Sequence, residues 1–504
     1  MTKLNCIAKL NWVVKASAVF LLWAGAAVVV SAQATGTAPS APNFQTLYNF
    51  PSPSGGWAPT DLVQGLDGEL YGTTTLGGII TDESVNGSGI VFKITTTGVL
   101  TTLYSFCPQN GCTDGKEPLA GLIQAKDGSF YGTTLYGGSE GSGTVFKITA
   151  SGTLTTLYRF CSGGLPPCPD GEMPYVSLVQ AADANFYGTT YSGGNSGSCQ
   201  YGSCGTVFKM TPSGILTTLY RFCSQSGCTD GDNPRGILAQ GLEGNFYGTT
   251  EGGGANGGGT IFKITPSGTL TTVYSFCSQN GCADGSVPYS GLALGADGHF
   301  YGTTFSGGED GTAFKITPGG KLTTLDTFNG TDASGPAAGL ILGTDGNFYG
   351  TTVYGGANDN GTIFQLTPSG TLTMLHSFNG RDGETPYLGL VQGTDGSFYG
   401  ATGEGGTNDC QGYSCGTIFR LSVGLGLFVR TNPVAGKVGA TVGILGTGLT
   451  GATGVKFNGT ETAFRVVSSS FIEAKVPSGA TTGTVQVQLP SGTLSSNVPF
   501  IVLP

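Results

Sequence analysis

The chain has 504 residues, of which 90 are Gly and only 10% are charged, and its formal net charge is −10. So little Lys and Arg against that excess of acid argues against nucleic acid and anionic membranes as partners. No segment beyond the N-terminal apolar run shows the 3.6-residue apolar period of a helix, so short strands and tight turns are expected throughout.

In chain order, residues 1–34 read as a signal peptide and not as part of the fold. Lys3, Lys9 and Lys15 form a basic n-region, residues 16–30 are apolar, and Ala32-Gln33-Ala34 offers a small-x-small cleavage site. An apolar run of 15 residues is short for a membrane span of ~20, so export with cleavage is favoured over an uncleaved anchor. Removing this segment takes away three Lys and no acid, leaving a net charge of −13. The mature protein is expected to be secreted or at the cell surface, with no membrane insertion after cleavage.

A lone strand, FQTLYNF at residues 44–50, comes next, and then one unit repeats seven times. Each copy holds a variant of DGNFYGTT, whose Tyr falls at Tyr71, Tyr131, Tyr187, Tyr247, Tyr301, Tyr349 and Tyr399, a period of 48 to 60 residues. A block like GTVFKIT (from Gly143) and one like TLTTLYSF follow, and a Pro with an apolar run such as GLVQ precedes each Asp-Gly. The unit reads as four strands: A (GLVQ), B (FYGTT), C (VFKIT) and D (LTTLYSF). Asp-Gly is favoured hairpin chemistry between A and B, because both central residues need φ > 0. A Pro-Ser-Gly turn joins C to D.

Four short antiparallel strands every ~50 residues are the signature of a β-propeller blade. The competing architecture, an open β-solenoid, usually has shorter repeats and needs end caps. The chain ends favour the propeller. The last unit stops after strand C at residues 416–421, while the lone strand at residues 44–50 is a D strand without a unit. Pairing the two closes a seven-bladed ring and removes any long exposed edge. The expected fold is thus all-β: a seven-bladed propeller over residues 44–421, then a small immunoglobulin-like β-sandwich over residues 425–504.

The unit GTVFKITPSGTLTTLYSF…DG…P…GLVQGTDGNFYGTT resembles the GloVer tandem repeat of exported bacterial proteins, which implies a repeat fold and no established activity. Residues 425–504 carry a second resemblance. Asn432-Pro-Val-Ala-Gly, Val455-Lys-Phe-Asn-Gly, Val476-Pro-Ser-Gly and Gly483-Thr-Val-Gln-Val are similar to the IPT/TIG domain, which implies an immunoglobulin-like spacer or contact module.

Cys6 leaves with the signal, and the other twelve Cys form six close pairs: Cys107/Cys112, Cys161/Cys168, Cys199/Cys204, Cys223/Cys228, Cys277/Cys282 and Cys410/Cys415. Units five and six lack both Cys of the D–A loop together, which indicates local disulfides in an exported chain rather than zinc held by two pairs. Closing so short a loop stabilises by about 2 kcal/mol in the chain-entropy model. All six pairs fall in D–A or B–C loops, which emerge on one face of an up-and-down blade and vary in length. Variable loops on a rigid scaffold make that face the candidate binding surface.

The D–A loops carry an acid in six units: Asp114, Asp170, Asp230, Asp284, Asp332 and Asp382. Most precede Gly, so an Asx-type turn is the plain reading. The sharper reading is an acidic ring that holds Ca²⁺ or positions sugar hydroxyls, although Ca²⁺ needs six to eight converging oxygens. No other cofactor and no metal site is expected. Aromatics accompany the acids: Tyr136, Tyr191, Phe305 and Tyr354 before the Gly-Gly, and Tyr175, Tyr289 and Tyr387 after the loop Pro. Such rings could stack on a sugar, or could simply fill the spaces between blades. The only two His, His299 and His376, occupy different positions of their units, so a Ser-His-Asp triad or a His-based metal site is not expected.

The resulting expectation is a non-catalytic binding or adhesion protein that meets extracellular polysaccharide or a surface protein at the disulfide-stapled face. The alternatives are a glycoside hydrolase or lyase using face carboxylates, and a structural cell-surface component.

Overall fold

The computed structural model describes residues 41–51, 56–79, 86–108, 111–162, 168–194, 204–331, 333–410 and 413–503. The expected signal peptide, Cys199 and Asp332 lie outside the described residues. The repeats form an all-β, propeller-like array of small antiparallel sheets. The second is typical, with Ile123–Gln124, Phe130–Thr134, Thr144–Ile148 and Leu154–Arg159 in sequential pairing. The last repeat takes its fourth strand from the N-terminal side, where Asn43–Asn49 pairs antiparallel with Thr417–Ser422. Strand A is only two residues long in each sheet, because the D–A loop first runs beside strand B. It does so as a strand at Trp57–Pro59 and Asp232–Pro234, and as single bridges such as Lys116↔Tyr136 elsewhere.

The geometry explains the repeated words. In DGNFYGTT the Tyr is fully buried and stacks on the Phe of the next sheet, with ring centroids 4.0 Å apart for Tyr71–Phe130 and 4.1 Å for Tyr349–Phe398. Its hydroxyl donates to the Asp that opens its own motif, as Tyr131 does to Asp127 at 2.9 Å and Tyr399 to Asp395 at 2.8 Å. A strand C cation reaches the same carboxylate, at 2.7 Å for both Lys147–Asp127 and Lys315–Asp297. The following Gly leaves room for the strand C Phe. A Cβ on Gly132 would lie 2.7 Å from the Phe146 ring and 2.8 Å from Leu122. The second Thr bonds across to strand C, Thr134 to Thr144 at 2.8 Å. Each C-D turn also needs a Gly: Gly152, at φ +91, sits against the backbone carbonyl of Leu103 in the preceding sheet, a position with no space for a side chain.

Contacts that join each sheet to the next also join the last to the first. The Gln ending strand A accepts a backbone N–H from the preceding sheet's A–B turn, as Gln124 does from Leu66 at 2.8 Å and Gln180 from Lys126 at 3.1 Å. Gln64 of the first sheet accepts from Thr394 of the last at 3.0 Å. Tyr399 shares one apolar cluster with Leu70, the first sheet's counterpart of the Phe.

Residues 430–503 form a β-sandwich. One sheet holds Thr441–Leu445 and Phe471–Lys475, the other Gly454–Phe457 and Val485–Leu489. Val442, Ile444, Phe457, Ile472, Val485, Val487 and Phe500 fill the space between them. This sandwich lies over the A–B turns. Ser470 donates to the Leu66 carbonyl at 2.6 Å, Thr394 and Thr447 share a hydrogen bond at 2.8 Å, and Asn497 donates to the Leu342 carbonyl at 2.9 Å. The end that carries the D–A and B–C loops is therefore opposite the sandwich.

Candidate binding cavity

The D–A loops are anchored by the acids singled out from the sequence. Asp114 accepts from the Tyr104 hydroxyl at 2.9 Å and the Cys107 backbone N–H at 3.1 Å. Asp170 accepts from Tyr158 at 2.8 Å. Asp230 takes Tyr220 at 2.8 Å and Ser224 N–H at 2.9 Å, and Asp284 takes Tyr274 at 2.8 Å and Ser278 N–H at 2.9 Å. In the sixth unit His376 replaces the Tyr, its Nε2 lying 3.1 Å from Asp382 and its ring stacked on Phe44 at 3.7 Å. The other His, His299, lies 2.9 Å from Asp297 in an A–B turn. Each of these five acids is thus engaged by strand D or the D–A loop of its own unit. Among the described residues no cluster of three or more His, Cys, Asp or Glu could hold a metal ion.

Beside these acids lie the disulfides. Cys107–Cys112, Cys161–Cys168, Cys223–Cys228 and Cys277–Cys282 are bonded within their loops. Cys204 and Cys415 are disulfide-bonded as well; of their expected partners, Cys199 is not among the described residues, and neither is the side chain of Cys410.

Inside the array is a cavity of about 920 Å³, to which all seven repeat sheets contribute an inner segment. Its wall is mainly Leu, Ile, Val, Ala and Gly with Ser177, Ser290, Gln124 and Gln180 among them, and among the described lining residues only Asp61 and Arg235 carry a charge. Of the seven aromatics expected on this face, Tyr175, Tyr289, Phe305, Tyr354 and Tyr387 line the cavity, while Tyr136 and Tyr191 do not. Tyr191 stands behind Tyr175 at 5.8 Å, and Tyr136 lies under the Lys116 ammonium at 5.9 Å.

Arg235 organises the loop end of this cavity. Its guanidinium carbon is 3.9 Å from the Tyr289 ring centroid and 4.7 Å from that of Tyr175, a doubled cation–π contact. It donates to the Tyr175 hydroxyl at 3.0 Å and to Glu251 at 3.1 Å. Burial works against its charge, but Tyr175 and the Glu251 carboxylate outweigh that and hold the proton more firmly. Tyr289 stacks in turn on Phe305 at 4.7 Å, and Tyr354 stands 47% exposed nearby on the lining. Asp61, partly buried, also lines the cavity. Burial raises its pKa, partly countered by the Gly389 N–H that it accepts at 2.6 Å.

The sandwich supplies the opposite end. Residues 431–434 line the cavity there, and Asn432 donates to the Gln124 carbonyl at 2.7 Å. Arg430, beside them, donates to the Gln64 carbonyl at 3.3 Å, and burial lowers its pKa to about 10.

Arg235, Glu251, Asp61 and residues 431–434 are the parts that sequence reasoning passed over. A signal for Arg235 existed. It follows the loop Pro at the place held by Tyr175, Tyr289 and Tyr387 in three units and by Leu119 and Ala337 in two others, so aligning the units exposes it as the one charged residue at an uncharged, often aromatic position. Asp61 stands where the other units have Gly or Ser, or Ile237 in the fourth, in a first unit that is one residue shorter between Pro59 and Leu62.

Among solved structures, a fungal alcohol oxidase of the AA5 family in complex with copper is similar at 13% identity and a TM-score of 0.48, over 92% of this chain and 99% of that one. A gluconolactonase from Xanthomonas campestris is similar at 11% identity and a TM-score of 0.36, over 76% and 90%. The PQQ-bound aldose sugar dehydrogenase from Streptomyces coelicolor matches at 16% identity and a TM-score of 0.36, over 76% and 99%. None of these three reaches a TM-score of 0.5, and no functional inference follows from them. No curated protein gives a significant match. The model of the Gloeobacter/Verrucomicrobia repeat matches residues 33–164, 77–293 and 279–465, overlapping stretches that cover most of the sequence, and the chain therefore belongs to the Gloeobacter/Verrucomicrobia repeat family.

Proposed function

We propose that this is an exported, non-catalytic binding protein, a closed seven-bladed β-propeller followed by an IPT/TIG-like domain, which takes a saccharide of an extracellular polysaccharide or glycosylated surface at the loop end of its cavity. The observation that carries this reading is the grouping of Arg235 with Tyr175, Tyr289, Phe305 and Tyr354. Aromatic faces beside fixed hydrogen-bond donors suit a ring that is apolar on its faces and hydroxylated on its edge. The four disulfides fit an oxidising compartment. Among the described residues no helix is long and apolar enough to cross a membrane.

Binding is favoured over hydrolysis because Asp114, Asp170, Asp230 and Asp284 each accept a hydrogen bond from the strand D Tyr of their own unit, which occupies carboxylates that a glycosidase would need on its substrate. The test is a glycan-array screen of residues 35–504, with and without Ca²⁺. A defined sugar class bound by the parent, and lost on Tyr289→Ala together with Tyr354→Ala, is the expected result. No binding above background in either condition overturns the proposal.

A further inference from the structure

The wall of the cavity is the wrong chemistry for a sugar alone. Below the aromatic end it is mainly aliphatic, interrupted by Ser177, Ser290, Gln124 and Gln180, and its volume of about 920 Å³ is near the top of the roughly 300–1,000 Å³ typical of small-molecule sites. Ile237 and Val434 are among the most exposed large apolar side chains of the protein, at 36% and 37%, and both line this cavity. An apolar surface of this kind gains most from an apolar occupant. Thr431 and Asn432 make the sandwich end polar as well, but it is at the loop end that Arg235 still has N–H donors beyond the two given to Tyr175 and Glu251. The charge of Arg235 is already matched by Glu251 at 3.1 Å. The other charge among the described lining residues is Asp61, and the chain as a whole is acidic at −10, so an anionic head at the loop end would meet repulsion with no second lining cation beside Arg235 to offset it.

Resting on the saccharide reading above, we infer that the ligand is a neutral amphiphile of the glycolipid type, its sugar held among Arg235, Tyr289 and Tyr354 and its alkyl chain lying along the aliphatic wall toward Pro433 and Val434. The head takes hydrogen bonds from the guanidinium without displacing Glu251, and the tail removes the exposed faces of Ile237 and Val434 from water.

The experiment is calorimetric titration of residues 35–504 with n-alkyl β-glucosides and β-maltosides of six to twelve carbons, below their micelle concentrations. Free glucose and maltose, n-alkyl alcohols and n-alkyl carboxylates of the same lengths are run beside them. Affinity is expected to rise about fourfold per added CH₂, from ~0.8 kcal/mol of burial each, and then level off once the cavity is filled. Carboxylates of equal length are expected to bind at least tenfold more weakly at pH 7. Ile237→Asp is expected to flatten the dependence on chain length while leaving the circular dichroism and thermal midpoint close to those of the parent. If glycans bind in the array but chain length adds nothing here, the inference falls and the saccharide-binding reading stands. Carboxylates or plain alcohols binding as tightly as the glycosides would also overturn it, because the head would then not be a neutral sugar.

Discussion

The two ends of the repeat array are built under opposite rules. At the A–B end every unit repeats the same turn and a hydrogen bond from the motif Tyr to the carboxylate that opens it, Glu243 in the fourth unit and Asp in the rest, and every unit but the sixth has a strand C Lys or Arg; the sandwich covers the surface so formed. At the loop end the units differ in length, in disulfides and in the residue that follows the loop Pro. Where a residue is needed to seat one sheet on the next, it recurs. Where the sheets no longer constrain it, it departs, and the departures Arg235 and Asp61 are the two charges on the cavity wall.

The comparison can be broken most severely between the ends, in the shared layer of strand C. Phe262 is fully buried and sits edge-on to Phe222 at 5.1 Å. Phe262→Ala is expected to cost about 3–5 kcal/mol, read as a shift of the urea midpoint. At the loop end, replacing Cys277 and Cys282 together by Ser should cost about 2 kcal/mol by the loop-closure argument. Its hydrogen-exchange signature should stay near the loop of residues 277–285 rather than spread over all sheets.

Acid pH separates the turn carboxylates from the cavity carboxylate by sign. Burial alone would raise Asp127, Asp183 and Asp297, but the cations, backbone N–H groups and tyrosine hydroxyls around them reverse this and hold all three below the usual carboxylate value. Their contribution is present above the unfolded pKa of ~3.9 and is lost as pH falls through the lower folded values. Asp61 runs the other way. Its charged form is disfavoured in the fold, so Asp61→Asn should raise the urea midpoint at pH 7, and the gain should close below about pH 4. A parent protein whose midpoint is flat from pH 5 to pH 2, or an Asn variant no more stable than the parent at pH 7, would contradict these assignments.

The smallest effect on stability, and the sharpest on function, is expected from Tyr354→Ala. With 47% of its surface exposed, the side chain should contribute within about 0.5 kcal/mol to folding. Glycoside affinity should nevertheless drop at least tenfold in the same titration that tests the cavity. A stability loss comparable to that of Phe262→Ala would make Tyr354 a packing residue instead.

The strands and turns were legible because the chain states them seven times. Asp-Gly, Phe-Tyr-Gly-Thr-Thr and the two turn glycines each answer a local demand for a hydrogen bond, a stack or a close approach, and local demands leave periodic marks. The site was legible only in part. Tyr175, Tyr289, Phe305, Tyr354 and Tyr387 were found because they recur at matching positions, yet the same rule also drew in Tyr136 and Tyr191, which lie off the cavity wall. Arg235 shows only as a break in the repeat, a charge where other units have Tyr, Leu or Ala, and nothing periodic marks Glu251, its partner across the loop. Residues 431–434 belong to no repeat, and their place at the cavity end depends on how the sandwich seats on the A–B turns, a contact between segments some 300 residues apart in sequence, as in Asn432–Gln124.

The pairing of Asn43–Asn49 with Thr417–Ser422 has a consequence for how the chain reaches this state. The strand at residues 43–49 finds its partner only after the whole repeat region that follows it has emerged, so the last sheet cannot be completed progressively, as the stacking of an open array can. Until then the N-terminal segment is an unpaired edge. Asn43, Gln45, Thr46 and Asn49 make it a polar one, with little to offer a passing strand other than the one whose register it fits.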